Sequence, residues 1–286
     1  MIHRIFSELD VENLSGTLVA VPVVNVIGFL RFQRGFGDGA DLNRIMPGKK
    51  GGSASQSYAA ALISKIIRHV DYLLDLHTAS FGRVNSLYVR ADMTHPTTHR
   101  LALLQCPQIV VHNSGIDGSL RGACAALGKP CVTVEIGDPQ VIDPIKTNAA
   151  LAGVRNTLLF FKMVEVGGEA GEGGVGSGSG GSSSSGAATA TITAPPPVIV
   201  SRSFWVFSTC GGILTVKPAV AEWVKRGQVI AEVHSIWGEL VDTVCSSHDG
   251  IIVGKSTNPV CATGDRILHL GVCEHSFPAK ASDGHE

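Results

Sequence analysis

Over its first 165 residues the chain alternates short apolar runs with amphipathic stretches. Thr17–Asn25 (TLVAVPVVN) is rich in β-branched residues and predicts a strand. Ser53–His69 places Tyr58, Leu62, Ile66 and Ile67 near helical spacing, with Ser53 as N-cap and Gln56 three residues on. Val70–His77 (VDYLLDLH), Ser86–Ala91, Gln108–His112 and Pro130–Gly137 (PCVTVEIG) are brief apolar runs that read as further strands. Asp143–Val164, mostly apolar along one side, predicts a closing helix. Near-continuous apolar strands separated by helices belong to a sheet covered on both faces, so the fold class is α/β.

The pattern changes at Gly167–Gly186, where 10 of 20 residues are Gly and 6 are Ser. Such a stretch has no apolar surface to bury and reads as a flexible linker, stiffened at its far end by Pro195-Pro196-Pro197. Beyond it, glycines recur between short β-rich runs: Ile213–Val216, Val229–Val233, Leu240–Val244, Gly250–Val253 and Ile267–Leu270. Short strands with regular turn signals predict a small β-barrel or sandwich. The expected organisation is an α/β domain over 1–165, a linker over 166–198, a barrel over 199–274 and a polar tail over 275–286. Without a pocket signature, the barrel reads as a lid, a docking surface or a homo-oligomer contact.

Composition narrows the function. Lys+Arg 23 against Asp+Glu 24 gives a formal net charge of −1, which offers neither nucleic acid nor a membrane surface as a partner. Seven cysteines without a CxxC pair exclude an all-paired disulfide framework and give no zinc knuckle, and they read as reduced thiols. The longest apolar candidate, Val19–Phe36, is broken by Asn25, Arg31 and Arg34, and the N-terminus lacks the apolar core of a signal peptide. The expectation is a soluble, cytoplasmic protein.

In an α/β sheet, chemistry concentrates at the carboxyl ends of strands. Asp75 and His77 share a strand face by the period-two rule, an arrangement suited to a metal or to a His oriented by a carboxylate. Glu135 interrupts an apolar strand, where an unpaired carboxylate is costly, and burial would raise its pKa toward general-base range. The structural alternative is an internal ion pair with Arg121 or Arg44. Arg31, Arg34, Asn43 and Arg44 cluster within Phe29–Gly48 and offer the planar forks that bind carboxylates.

The segments Asp41-Leu42-Asn43-Arg44 with Pro47-Gly48, Asp75-Leu76-His77-Thr78 and Thr133-Val134-Glu135-Ile136-Gly137 resemble, in order and spacing, the succinylglutamate desuccinylase/aspartoacylase family. The barrel segments around Gly211-Gly212, Gly227, Asp249-Gly250 and Gly264-Asp265 extend the likeness. The resemblance implies a zinc-carboxypeptidase-like mixed sheet flanked by helices, and Zn2+-dependent cleavage of an N-acyl amide on a small anionic acyl amino acid. It implies His77 as a zinc ligand, Glu135 as general base and acid, and Arg34 facing the developing oxyanion. Asn43, Arg44 and, more weakly, Arg121 would bind the substrate.

The family's early H-x-x-E motif, which supplies two further zinc ligands, has no counterpart here. The reading is an incomplete version of a longer protein. A metal-poor relative that binds without hydrolysing, and an esterase or carboxypeptidase acting on another carbonyl, are the alternatives. For the Gly/Ser-rich stretch the expected outcome is simple: deleting 167–186 leaves the melting of the α/β domain nearly unchanged by calorimetry, and a large destabilisation would show that the stretch packs.

Overall fold

The computed structural model describes residues 1–115, 117–165 and 195–273. The Gly/Ser-rich linker reading and the tail reading fall outside these residues, except at 195–198. Helices α1 (Ile2–Glu8), α2 (Val26–Leu30) and α3 (Ala54–Lys65) come first. Strands β1 (Leu73–His77), β2 (Arg83–Asn85) and β3 (Leu87–Ala91) follow, then helix α4 (Pro96–Leu104) and strand β4 (Ile109–His112). Helix α5 (Leu120–Ala126), strand β5 (Cys131–Ile136) and helix α6 (Pro144–Phe160) complete this part. The remainder is strand: β6 (Val198–Val200), β7 (Arg202–Phe207), β8 (Gly212–Val216), β9 (Trp223–Val224), β10 (Val229–His234), β11 (Leu240–Cys245), β12 (Gly250–Ser256), β13 (Val260–Cys261) and β14 (Arg266–Val272).

The first sheet has the order β1-β5-β3-β4-β6, parallel throughout except at the antiparallel β3–β5 pair. It is therefore a mixed α/β sheet. One face carries Leu74, Leu76, Leu87, Val89, Ala91, Val132 and Val134 and buries them against α4 and α6. On the opposite face, α3 and α5 cover Leu73 and Cys131, at the end where β1 and β5 begin. Ser53 caps α3 in a complete capping box with Gln56, as the sequence predicts. Helix α5 starts at Ser119, whose hydroxyl accepts from the Gly122 amide.

One expected strand is absent. Residues 17–25 form no strand, and a short helix, α2, begins directly after them, capped by Asn25. β-Propensity expresses a fit to a half-buried pleated surface rather than a backbone preference. Here the described residues give TLVAVPVVN no partner strand, and β1 is the edge of the sheet, half-buried along its whole length.

The two sequence halves interlock. Val198–Val200, which the sequence reading divides between linker and barrel, forms the outermost strand of the first sheet as β6. Conversely β2, from the N-terminal half, pairs antiparallel with β12 of the barrel. Two further sheets, β11-β10-β8-β13 and β2-β12-β14-β7, enclose a second core of Leu214, Ile230, Val233, Ile252, Ile267 and Leu270. Ile251 and Val253, on the other side of β12, pack on Tyr88, Ile109, Val111 and Val200 of the first sheet. The Ser86 hydroxyl and amide both donate to the Val253 carbonyl across this seam.

His269 lies at the same seam, buried, stacked on Trp205 at 4.9 Å and edge-on to Tyr88 at 6.2 Å. Burial, then the charges of Arg90 and Arg266, push its pKa down to about 3. The folded state thus keeps His269 neutral, while the unfolded chain takes up a proton once pH falls below the ordinary value of 6.5. Stability is lost as pH falls through this window, by up to about 1.4 kcal/mol per pH unit from this residue. The His269→Gln variant should show a flatter urea-denaturation stability between about pH 6.5 and pH 4. An unchanged slope would mean that His269 is not held neutral.

Candidate active site

Directly paired residues on neighbouring strands share a face of the sheet. The registers His77↔Glu135, Asp75↔Thr133, Tyr88↔Glu135 and Arg90↔Thr133 therefore set six polar side chains on one face of β1, β5 and β3. The same face continues across β4 and β6 as Ile109, Val111, Val198 and Val200, which the barrel covers. Its polar part lies between that covered region and the α3–α5 layer.

Glu135 is the centre of this set. Its Oε2 accepts from Asn85 Nδ2 at 3.1 Å, and its Oε1 lies 3.9 Å from Arg90 Nε. Arg90 in turn donates through Nη2 and Nε to the Tyr88 hydroxyl at 2.6 and 3.1 Å. Burial raises the Glu135 pKa, while His77, Arg90 and Asn85 act in the opposite direction. Burial also raises the Tyr88 pKa, so its hydroxyl stays protonated. His77 Nε2 lies 3.0 Å from Asp75 Oδ2. Burial disfavours the imidazolium, but the Asp75 bond and the charges of Asp75 and Glu135 outweigh it, and the His77 pKa is raised.

The other predicted residues reach the site from loops. Asp41 accepts from the Asn43 amide with Oδ1 and from Arg34 Nε with Oδ2, both at 2.9 Å, so it ties Arg34 to the turn carrying Asn43 and Arg44. Arg34 is close enough to His77 for its charge to act on the ring. Asn43 Oδ1 accepts the Leu120 amide at 2.8 Å, one of the free N–H groups at the start of α5. Gly118, at φ +80°, lies against the Arg44 carbonyl, where a Cβ would sit 2.3 Å away. Arg44 itself is exposed and donates to the Asn43 carbonyl. Arg121 is buried and turned toward Asn113, bonding its carbonyl and its Oδ1.

Asn85, Tyr88 and Arg90 join the set without having been singled out from the sequence. Arg31 is the C-cap residue of α2, apart from the turn that carries Asn43 and Arg44. Among the described residues no group of three or more His, Cys, Asp and Glu is arranged to hold a metal ion. A catalytic zinc takes three protein donors. His77 with Asp75 falls short of that set, so the described residues do not by themselves fit one.

The barrel reaches Asn85 through β12. Gly254 pairs with Asn85, and a Cβ on Gly254 would lie 2.4 Å from Asn85 Oδ1 and 3.0 Å from the Val84 carbonyl. Gly254→Ala should therefore displace Asn85 and release Glu135 from its hydrogen bond. Loss of a bond to a charged group is on the scale of about 1.5–3 kcal/mol. The expected result is a lower melting temperature together with weakened activity. An unchanged activity would show that Asn85 does not govern Glu135.

Residues 1–161 match the family described as the succinylglutamate desuccinylase/aspartoacylase catalytic domain. The N-alpha-acetyl-L-2,4-diaminobutyric acid deacetylase of Halomonas elongata is 22% identical over 281 residues, covering 93% of this chain and 75% of that protein. The product-bound ectoine utilization protein EutE (DoeB) from Ruegeria pomeroyi superposes with a TM-score of 0.79 at 18% identity, over 95% of this chain and 80% of its own. A succinylglutamate desuccinylase/aspartoacylase from Rhodobacter sphaeroides gives 0.76 at 19% identity, over 94% and 79%. These structural likenesses show a shared fold, and the match over 1–161 shows that the chain belongs to the succinylglutamate desuccinylase/aspartoacylase family.

Proposed function

We propose that the chain is a hydrolase that cleaves the N-acyl amide bond of a small anionic acyl amino acid. The observation that carries this reading is the carboxylate of Glu135. It is half-buried, its pKa is raised, and it shares a sheet face with His77. Family membership and the likeness to a diaminobutyrate deacetylase support the same class.

In this reading water adds to the amide carbonyl carbon while Glu135 accepts its proton. Glu135 then returns the proton to the amide nitrogen, the C–N bond breaks, and a carboxylic acid and a free amine leave. A raised pKa suits both halves of that shuttle, since it makes the carboxylate a stronger base than an ordinary one. Arg34, held by Asp41 within electrostatic reach of His77, is proposed to face the oxygen that gains charge. Asn43 and Arg44 are proposed to bind the substrate carboxylate from the turn clamped on α5. The zinc that the family resemblance implies would meet His77 among the described residues, but His77 with Asp75 falls short of a catalytic donor set, so no step of this shuttle is assigned to a metal.

A second reading, a protein that binds the acyl amino acid without turnover, rests on the shortfall of metal donors among the described residues. Turnover separates the two. With zinc supplied, the chain should release amine from an N-acyl amino acid, and Glu135→Gln should lower kcat by about two to four orders of magnitude with KM little changed. Near-normal turnover in that variant would make Glu135 structural. No turnover of any acyl amino acid by the original chain would favour binding alone.

A further inference from the structure

The two sheets of the barrel have different neighbours. The sheet β2-β12-β14-β7 packs on the first sheet through Ile251 and Val253 of β12, and its other side faces the barrel core. The sheet β11-β10-β8-β13 turns Leu214 and Val233 toward that same core, so alternate residues look outward, away from the α/β part. The registers Leu240↔His234, His234↔Ile213 and Ile213↔Val260 set four of these side chains in one row across the outer side.

That row contains no carboxylate, Lys or Arg. Ile213, Leu240 and Val260 are exposed in it, and the patch continues into Val241 and into Ile236 and Trp237 of the hairpin that joins β10 to β11. The six apolar residues range from 42% exposed at Ile213 to 83% at Trp237. Side chains of this kind carry roughly 100–250 Å² each, so at these exposures the six present on the order of 500 Å² of apolar surface. A patch of that size lies near the upper end of those found on monomers. A standard interface takes about 800 Å² from each partner, and with ~65% of it non-polar in homodimers the apolar share is again about 500 Å². In the neighbouring row Glu232 is paired with Lys217, which leaves the border of the patch polar without a net charge.

We propose that this face binds the same face of a second copy of the chain about a two-fold axis, forming a homodimer through the barrel. A two-fold contact requires one patch to match itself, and an apolar row free of carboxylates, Lys and Arg does so. The chain's own remaining segments offer too little to cover it: residues 166–194 and 274–286 hold only Val166, Val175, Ile192 and Phe277 as large apolar side chains. A second copy brings all six residues of the patch. A formal net charge of −1 gives the two copies little mutual repulsion.

Sedimentation equilibrium of the full chain from about 1 to 100 μM, the range that brackets a micromolar dimer, tests the proposal. The mass should rise to twice that of the chain within this range. Trp237→Ser, in the hairpin, and Val241→Lys, on β11, should each weaken association by at least about tenfold, the scale of a central interface contact. Both positions are exposed, so neither change removes a core residue, and each variant remains informative should the other fail to fold. Phe29→Ser alters another exposed apolar residue, on α2 outside the barrel, and should leave the dimer unchanged. A chain that stays monomeric at about 100 μM overturns the proposal. A dimer that survives both barrel substitutions, or that Phe29→Ser dissociates, overturns it as well, since its interface then lies elsewhere.

Discussion

Glu135 holds a carboxylate on the inner face of a β-sheet, and much of the architecture around it answers that constraint. A carboxylate buried without partners would be neutralised or would unfold the site. The chain supplies an amide from Asn85, a guanidinium from Arg90 and an imidazole from His77, each from a different strand. These partners reduce the burial penalty without cancelling it, and the pKa remains raised. That intermediate state is the one the proposed acid–base role calls for. A tight, close ion pair would have fixed Glu135 as a permanent anion, and the 3.9 Å separation from Arg90 avoids this. Arg90 spends its shorter bonds on Tyr88 instead.

The same constraint explains why the barrel is part of the site. Asn85 belongs to β2, and β2 is held by β12 of the barrel rather than by the first sheet. The absence of a side chain at Gly254 leaves the space in which the Asn85 amide sits. The Ser86 bonds to Val253 and the packing of Ile251 and Val253 on Tyr88, Ile109 and Val111 fix the seam on either side. The sequence reading of the barrel as a lid, a docking surface or an oligomer contact did not include this role. The barrel positions a hydrogen-bond donor to Glu135 through the strand it shares with the N-terminal half.

The strands, the capped helix α3 and the glycine-punctuated barrel were legible because period-two alternation and turn residues are local signals. Asp75, His77 and Glu135 stood out because each interrupts an apolar strand at its carboxyl end. Tyr88 and Arg90 gave the same signal in Leu87-Tyr88-Val89-Arg90, a polar alternation on a buried strand. It was readable in principle, but nothing local says that β3 runs antiparallel to β5 and brings those two side chains beside Glu135. Asn85 was not legible at all, since its role depends on pairing with Gly254, 169 residues further along the chain. Thr17–Asn25 misled for the opposite reason: its residues suit a strand, and among the described residues it has no neighbour to pair with. Arg121 was named only as a weaker candidate from the resemblance, and its bonds to Asn113 follow from the packing of α5, not from its local sequence.

The account stands or falls on where the substrate lies. A crystal structure of the full chain soaked with an N-acyl amino acid or its deacylated product would show this directly. The account predicts density over the face formed by Asp75, His77, Glu135 and Arg90, with the amide within hydrogen-bonding distance of Glu135 and the carboxylate toward Asn43 and Arg44. Ordered ligand elsewhere, with that face empty at saturating concentration, would contradict it.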